Sequence, residues 1–201
     1  MPMNTSLADF LPRVGDRVEL RRLTVSDLES FQAYRNDPDV GRYQGWSAMS
    51  PTDAAAFLAR MHTADPGIEG EWFQLGIAER SSGGLIGDVG VCLRTIDDPH
   101  AEIGFTLAPA AQGQGLGSEA VRELLAALFE HSSVARVIAI TDARNLPSVR
   151  LLRRIGMRLG DTFSSHFRGE PCTEHLFVIR RGERHSTCRI ANAGGPNECT
   201  C

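Results

Sequence analysis

The sequence predicts a single α/β domain built on a mixed sheet. Three observations support this prediction. Apolar residues alternate at the spacing of strands early in the chain, strand and helix patterns alternate through the middle, and strand patterns return near the end. Such an order packs helices against a sheet with both parallel and antiparallel neighbours. The chain has 201 residues, which is enough for one well-buried core.

The N-terminal part of the chain predicts one strand and two helices. Residues 17–23 alternate in polarity as a half-buried strand does. A helix follows and ends at residues 36–38, where a proline disfavours further helix. A second helix starts at Ser50 and reaches about His62. The polar loop 41–47 lies between these two helices.

The middle of the chain predicts a hairpin, a third strand and a long helix. Residues 72–78 and 85–93 form strands, because the Ser-Ser-Gly-Gly run at 81–84 is a hairpin signal. The next strand is expected over residues 102–107. A helix from about Gly115 to His131 places its apolar residues on one face.

The C-terminal part predicts a strand, a helix and two closing strands. The strand covers residues 136–142, and Asn145 opens the helix. The closing strands are expected at 157–163 and 174–180, with a linker over 164–173. The domain therefore covers residues 10–183. Apolar patterning is lost after it, and we expect 184–201 to be a disordered C-terminal tail.

The composition is that of a soluble globular protein. Apolar residues make up 42% and charged residues 23% of the chain, and the net charge of -4 argues against a general nucleic-acid-binding surface. No apolar run reaches the length of a membrane span, and the N-terminus does not resemble a secretory signal. The five cysteines follow neither a disulfide nor a zinc spacing. We expect a cytoplasmic protein without a metal, a nucleic acid or a membrane partner.

The segment 101–120 is the most informative for function. It combines a short strand, a loop with glycines at 113, 115 and 117, and the start of a helix. Glycines let the backbone approach a ligand closely, and a helix N-terminus attracts anions, so the loop is suited to a pyrophosphate. The spacing is G-x-G-x-G, which differs from the dinucleotide fingerprint, and no lysine follows the last glycine as a Walker loop requires.

The loop and its surroundings resemble the GNAT superfamily of N-acetyltransferases. Gln112-Gly-Gln-Gly-Leu-Gly117 is similar to the acyl-CoA pyrophosphate motif of that superfamily. Asn145-Leu-Pro-Ser148, together with the helix that follows and ends at Gly156, is similar to a second signature of the same superfamily. The phrase Arg35-Asn-Asp-Pro resembles the branch that contains the ribosomal-protein-alanine N-terminal acetyltransferases. The resemblance covers residues 17–181.

The resemblance implies a fold and a donor site. The fold is a GNAT-type mixed, mostly antiparallel, splayed central sheet flanked by helices, in which acyl-CoA lies in the V that opens after the fourth strand. The pantetheine arm pairs with the free backbone of that strand, and the pyrophosphate lies on the glycine loop. The implied acetyl-CoA-binding residues are Phe105, Thr106, Leu107, Gln112, Gly113, Gln114, Gly115, Leu116, Gly117, Ser118, Asn145 and Ser148. Helix capping is the alternative role of Asn145 and Ser148, because Asn145 precedes a helix and Ser148 is in its first turn.

The catalytic groups are less well defined by the sequence. Many members carry a tyrosine that protonates the leaving thiolate, and this chain has Leu152 at that position. Ser148 is the candidate hydrogen-bond donor to the sulfur, although the thiolate could also leave unassisted. Glu102 is the candidate base, with a structural ion pair to an arginine as its alternative role; Asp88 and Glu174 are further candidates.

The function implied is acetyl transfer from acetyl-CoA to a primary amine by direct attack in a ternary complex. Tyr43, Gln44 and Trp46 are the expected acceptor-site residues, and packing of the loop is their alternative role. The acceptor is either a protein N-terminus or a small-molecule amine. We allow for a homodimer. A non-catalytic acyl-CoA-binding regulatory module is the alternative function, and Leu152 favours it slightly.

Overall fold

The computed structural model describes residues 11–94 and 98–183 and arranges them around one eight-stranded sheet. The strands are β1 (Arg13–Val14), β2 (Val18–Arg22), β3 (Trp72–Glu79), β4 (Leu85–Arg94), β5 (His100–Leu107), β6 (Arg136–Asp142), β7 (Arg158–Phe167) and β8 (Glu170–Arg180). The helices are α1 (Leu28–Arg35), α2 (Pro38–Gly41), α3 (Pro51–Thr63), α4 (Leu116–His131) and α5 (Leu146–Arg154). The tail expected at 184–201 lies outside the described residues.

The sheet is mixed and mostly antiparallel, as the sequence predicts. Its strand order is β1-β2-β3-β4-β5-β6-β8-β7, and the β5–β6 pair alone is parallel among the described strands. That pair keeps register for three residues of β5 and ends at Glu102, which lies opposite Ile138. Beyond this point β5 pairs only with β4, and β6 only with β8. The sheet therefore splays into a V whose apex is at Glu102.

Helices cover both faces of the sheet and build the core. On one face, Phe31 of α1 stacks on Phe57 of α3 with ring centroids 5.5 Å apart. On the other, α4 buries an apolar stripe that includes Leu124 and Leu128. Burial of each such side chain contributes about 1.5–3 kcal/mol. The two faces of the sheet are thus covered by separate layers of packed helices.

The closing hairpin differs from the expectation. The linker expected at 164–173 is instead strand, and β7 and β8 join through a two-residue turn, Arg168–Gly169. Most of β7 is exposed, and its sequence lacks the apolar alternation that marks a half-buried strand. The hairpin is consequently long enough to reach the loop after α2.

The region between the first two long helices also differs in detail. Residues 36–38 end α1 as expected, but Pro38 then opens the short helix α2. The side chain of Asp37 caps it by accepting hydrogen bonds from the amides of Asp39 and Val40. None of the described helices is long and apolar enough to cross a membrane.

Candidate functional site

A cavity of about 660 Å³ occupies the V between β5 and β6. Its walls come from five parts of the chain: the end of β5, the end of β6, the start of α4, α5, and the segment around α2. Its volume is within the range of small-molecule and cofactor sites. The sequence-predicted residues that line it are Tyr43, Gln44, Phe105, Thr106, Leu107, Gln112, Gly113, Gly115, Gly117, Ser118, Asn145 and Ser148.

The N-terminus of α4 presents free backbone amides to this cavity. Gly115 is the N-cap residue, with φ of 81° and no side-chain cap, and Gly113 has φ of 74°. Both lie in the left-handed region that favours glycine. The amides of residues 113–118 form no hydrogen bond with any described residue. These donors and the positive end of the helix dipole make an anion site.

Gly117 has a different role from the other two glycines. A Cβ at this position would lie 2.7 Å from Cδ1 of Leu107 and 3.0 Å from Cδ1 of Leu151. The missing side chain therefore lets the first turn of α4 pack closely between β5 and α5. This contact sets the distance between the glycine loop and the β5 wall.

Two residues predicted for the donor loop point away from the cavity. Leu116 is buried in the core. The carbonyl of Gln114 accepts a hydrogen bond from Arg17, and its side-chain amide donates to the carbonyl of Ala110. Both residues support the loop by these contacts, although neither lines the cavity.

The free edge of β5 is occupied by two glutamine side chains. Nε2 of Gln44 donates to the carbonyl of Phe105 at 3.4 Å, and Nε2 of Gln112 donates to the carbonyl of Leu107 at 3.0 Å. Both glutamines line the cavity. Because a glutamine amide is held by rotatable bonds, a ligand with its own amide groups can replace it at this edge.

Asn145 and Ser148 combine a capping role with exposure to the cavity. Oδ1 of Asn145 accepts a hydrogen bond from the amide of Ser148 at 3.3 Å, which caps α5. Both residues also line the cavity. Leu152 also borders the cavity, and its side chain is fully buried. Because this residue is a leucine, it offers no hydroxyl group to a leaving thiolate.

Glu102 lies at the apex of the V. Its side chain is half-buried, and burial raises the pKa of the carboxyl. The positive charges of Arg94 and His100 oppose this rise, whereas the negative charge of Glu174 adds to it. The side chain of Glu102 forms no ion pair or hydrogen bond with a described residue, so the structure does not show the alternative role of a structural ion pair.

The face of the sheet on which Glu102 lies can be derived from strand alternation. Glu102 and Thr106 share one face of β5, whereas Leu107 lies on the face covered by α4. Thr106 pairs with Asp88, which is bound by α1. Glu102 therefore lies on the α1 face, about 13 Å along the strand from Thr106, and is not among the residues that line the cavity.

Asp88 is held in a buried network and is therefore a poor candidate base. Its carboxylate accepts a hydrogen bond from Oη of Tyr34 at 2.6 Å and a bidentate pair from Arg35 at 2.7 and 3.2 Å. The side chains of Arg35 and Asp88 are only 4% and 3% exposed. Burial and the Asp88 charge raise the pKa of Tyr34 well above its usual range. The network joins α1 to β4.

The predicted acceptor residues separate into two groups. Tyr43 and Gln44 line the cavity. Trp46 does not; its ring lies 4.6 Å from the guanidinium of Arg35, and its carbonyl accepts a hydrogen bond from Arg168. Trp46 thus packs against α1 and away from the cavity. Its role as an acceptor contact stays a prediction.

Sequence reasoning missed Arg35 and Arg168 as parts of this region. Arg35 pairs with a carboxylate 53 residues away, and Arg168 binds carbonyls more than 120 residues away. A buried ion pair between distant segments leaves no periodic signal in the sequence. An arginine in place of the preferred asparagine before the turn glycine would have been a signal, had the turn been located.

Comparison with known proteins agrees with this geometry. A family model for the acetyltransferase (GNAT) domain matches residues 17–158. The chain is 27% identical over 143 residues to the uncharacterised N-acetyltransferase p20 of Bacillus licheniformis, a match that covers 71% of this chain and 80% of that protein.

Two solved structures show the same fold. A GNAT-family acetyltransferase from Bacillus anthracis superposes with a TM-score of 0.75 at 23% identity, covering 85% of this chain and 98% of that chain. RimL, a ribosomal L7/L12 α-N-protein acetyltransferase in complex with coenzyme A, superposes with a TM-score of 0.71 at 17% identity. That match covers 84% of this chain and 97% of RimL.

Proposed function

The chain belongs to the GNAT family of acyl-CoA-dependent N-acetyltransferases, and on this premise we propose that it transfers the acetyl group of acetyl-CoA to a primary amine within a ternary complex. The observation that carries the proposal is the set of unpaired amides at residues 113–118, which face the V beside the free edge of β5. These two features suit the two ends of one donor, a pyrophosphate and a pantetheine arm.

The donor lies in the V with its pyrophosphate on the start of α4. Gly113, Gly115 and Ser118 offer amides there, and the helix dipole favours the negative charge. The pantetheine arm runs along Phe105 and Leu107, replacing the glutamine amides that occupy their carbonyls. RimL, which has this fold, was solved in complex with coenzyme A, and this supports coenzyme A as the carrier of the donor group.

The reaction needs a neutral amine close to the thioester. Holding both reactants in one cleft supplies most of the orientation that a two-substrate reaction requires. Glu102 removes the proton from the ammonium group, directly or through water. Because burial raises the pKa of Glu102, its carboxylate is a stronger base than an ordinary glutamate carboxylate.

The sulfur leaves as a thiolate, and Ser148 is the proposed hydrogen-bond donor to it. Ser148 lines the cavity in the first turn of α5. An ordinary thiol has a pKa near 8.5, so a thiolate is a tolerable leaving group even without a proton donor at Leu152. The N-terminal dipole of α5 also favours a negative charge at this place.

The acceptor amine approaches from the side of the sheet that carries Glu102 and the loop after α2. Tyr43 of that loop lines the cavity in the V. A protein N-terminus is one acceptor class, supported by the action of RimL on a ribosomal protein. A small-molecule amine is the other.

Thiol release by the purified full chain tests the proposal. Acetyl-CoA is supplied with a panel of an alanine-initiated peptide, a serine-initiated peptide, spermidine, tobramycin and tyramine. We expect amine-dependent thiol release and a mass increase of one acetyl group on at least one amine. Tight acetyl-CoA binding without acetylation of any amine would contradict the proposal and favour a non-catalytic acyl-CoA-binding module.

A further inference from the structure

The tip of the β7–β8 hairpin carries an arginine in an unfavourable backbone conformation. Arg168 and Gly169 form a two-residue turn with φ of 52° and 84°. Turns with two positive φ values prefer Asn-Gly, because asparagine tolerates the left-handed region better than other residues with side chains. The left-handed conformation is unfavourable for a residue with a Cβ atom such as arginine. Local turn preference therefore does not account for this residue.

The side chain of Arg168 reaches the loop after α2. Its Nη2 atom lies 3.3 Å from the carbonyl of Gly41, 3.4 Å from that of Gln44 and 3.2 Å from that of Trp46. The guanidinium also lies 5.2 Å from the ring of Phe167. Arg168 forms no ion pair with a described carboxylate, so its charge is directed at the three carbonyl oxygens.

The segment 41–46 is also attached to the other half of the sheet. Trp46 lies on Arg35, which is fixed by Asp88 of β4, and the side chain of Gln44 reaches the carbonyl of Phe105 in β5. Arg168 brings in the β7–β8 hairpin, which lies beyond β6 on the far side of the V. The segment is thus held between both walls of the V, and Tyr43 and Gln44 line the cavity from it.

We propose that Arg168 is a positioning residue for the acceptor: by gathering three carbonyls of the 41–46 segment, it fixes the wall against which the amine substrate binds. The proposal rests on the proposed acetyl transfer, since it gives this segment an acceptor to bind. Arg168 does not line the cavity and acts through the segment it holds.

Arg168→Asn tests the proposal, because asparagine suits the turn and removes the guanidinium. We expect a melting temperature equal to or above that of the wild type. With the best amine of the panel, we expect the acceptor KM to rise about tenfold, because the 41–46 segment is no longer held in place. This corresponds to about 1.4 kcal/mol. The acetyl-CoA KM should stay within about twofold of the wild-type value. Arg158→Asn is the matched control, because Arg158 is an exposed arginine on the same hairpin whose one ion pair among the described residues is with Glu183.

Backbone amide exchange provides a readout that does not depend on turnover. In Arg168→Asn we expect faster exchange over residues 42–47, with acetyl-CoA still protecting residues 113–118. If no amine is acetylated by the wild type, the proposed function fails, and exchange alone decides the role of Arg168. A lower melting temperature with an unchanged acceptor KM, or unchanged exchange over 42–47, would overturn the proposal.

Discussion

The side-chain amide of Gln44 lies 3.4 Å from the carbonyl oxygen of Phe105, so the loop after α2 and strand β5 share a hydrogen bond. Phe105 lies on the edge of β5 where pantetheine is proposed to bind, and Gln44 belongs to the segment that Arg168 holds. Donor binding at this edge therefore has to displace a group that belongs to the acceptor wall.

Gln44→Leu is expected to tighten acetyl-CoA binding about fivefold, because pantetheine no longer has to break a hydrogen bond whose net contribution is about 1 kcal/mol. Isothermal titration calorimetry measures the change. Gln32→Leu is the control, since Gln32 makes a similar hydrogen bond to the carbonyl of Met49 away from the cavity. Weaker acetyl-CoA binding by Gln44→Leu would show that Gln44 contacts the donor and is not displaced by it.

Gly115→Ala is expected to weaken acetyl-CoA binding about tenfold. Alanine is strained at φ of 81°, so the loop shifts and the amides of residues 113–118 lose their alignment. Gly83→Ala is the matched control, because Gly83 has φ of 70° in the β3–β4 turn with no atom near its Cβ position. Both variants should lose about 1 kcal/mol of stability. Equal acetyl-CoA dissociation constants for the two variants would argue against the donor loop.

Glu102→Gln is expected to lower kcat about a hundredfold or more, because the variant has no base. The wild-type rate should rise with pH as the Glu102 carboxyl, whose pKa is raised by burial, loses its proton. The variant should lack this rise. A pH–rate profile from pH 5 to 9 measures both effects, and a variant with the same low-pH limb as the wild type would exclude Glu102 as the base.

The same variant should be more stable than the wild type at neutral pH. A carboxyl whose folded-state pKa is raised stabilises the protein only while protonated, and that stability is lost as pH rises through the folded-state pKa. The melting-temperature advantage of Glu102→Gln should therefore be absent below the ordinary value of 4.5 and grow above it. An advantage that does not change with pH would show that burial of the charge is not its cause.

Ser148→Ala and Asn145→Ala should separate catalysis from helix capping. The hydroxyl of Ser148 is proposed to bond the thiolate, so its loss should lower kcat about tenfold with little change in stability. The cap survives in Ser148→Ala, because Asn145 accepts from the backbone amide of residue 148. Asn145→Ala removes the cap and should lower the free energy of unfolding by about 1 kcal/mol. Unchanged kcat in Ser148→Ala would leave the thiolate to depart unassisted.

The sequence predicted the elements that have a local signal. The glycines at 113, 115 and 117 placed the start of α4, and the Ser-Ser-Gly-Gly run placed the β3–β4 turn. The β7–β8 turn was missed, because Arg168–Gly169 is not a preferred turn pair and β7 lacks a buried face. The sequence identified Tyr43 and Trp46 as residues of one loop, but it could not show that Tyr43 lines the cavity and Trp46 does not. That difference depends on the contacts of Trp46 with Arg35 and Arg168, which come from distant segments.

Amide chemical shifts of isotope-labelled protein titrated with acetyl-CoA locate the donor site most directly. If the donor lies in the V, the largest shifts are expected at Phe105, Leu107 and residues 113–118, with smaller shifts at Tyr43 and Gln44. Shifts concentrated at a smaller cavity of about 370 Å³ near Arg60 and Trp72, with residues 113–118 unchanged at saturation, would contradict this location.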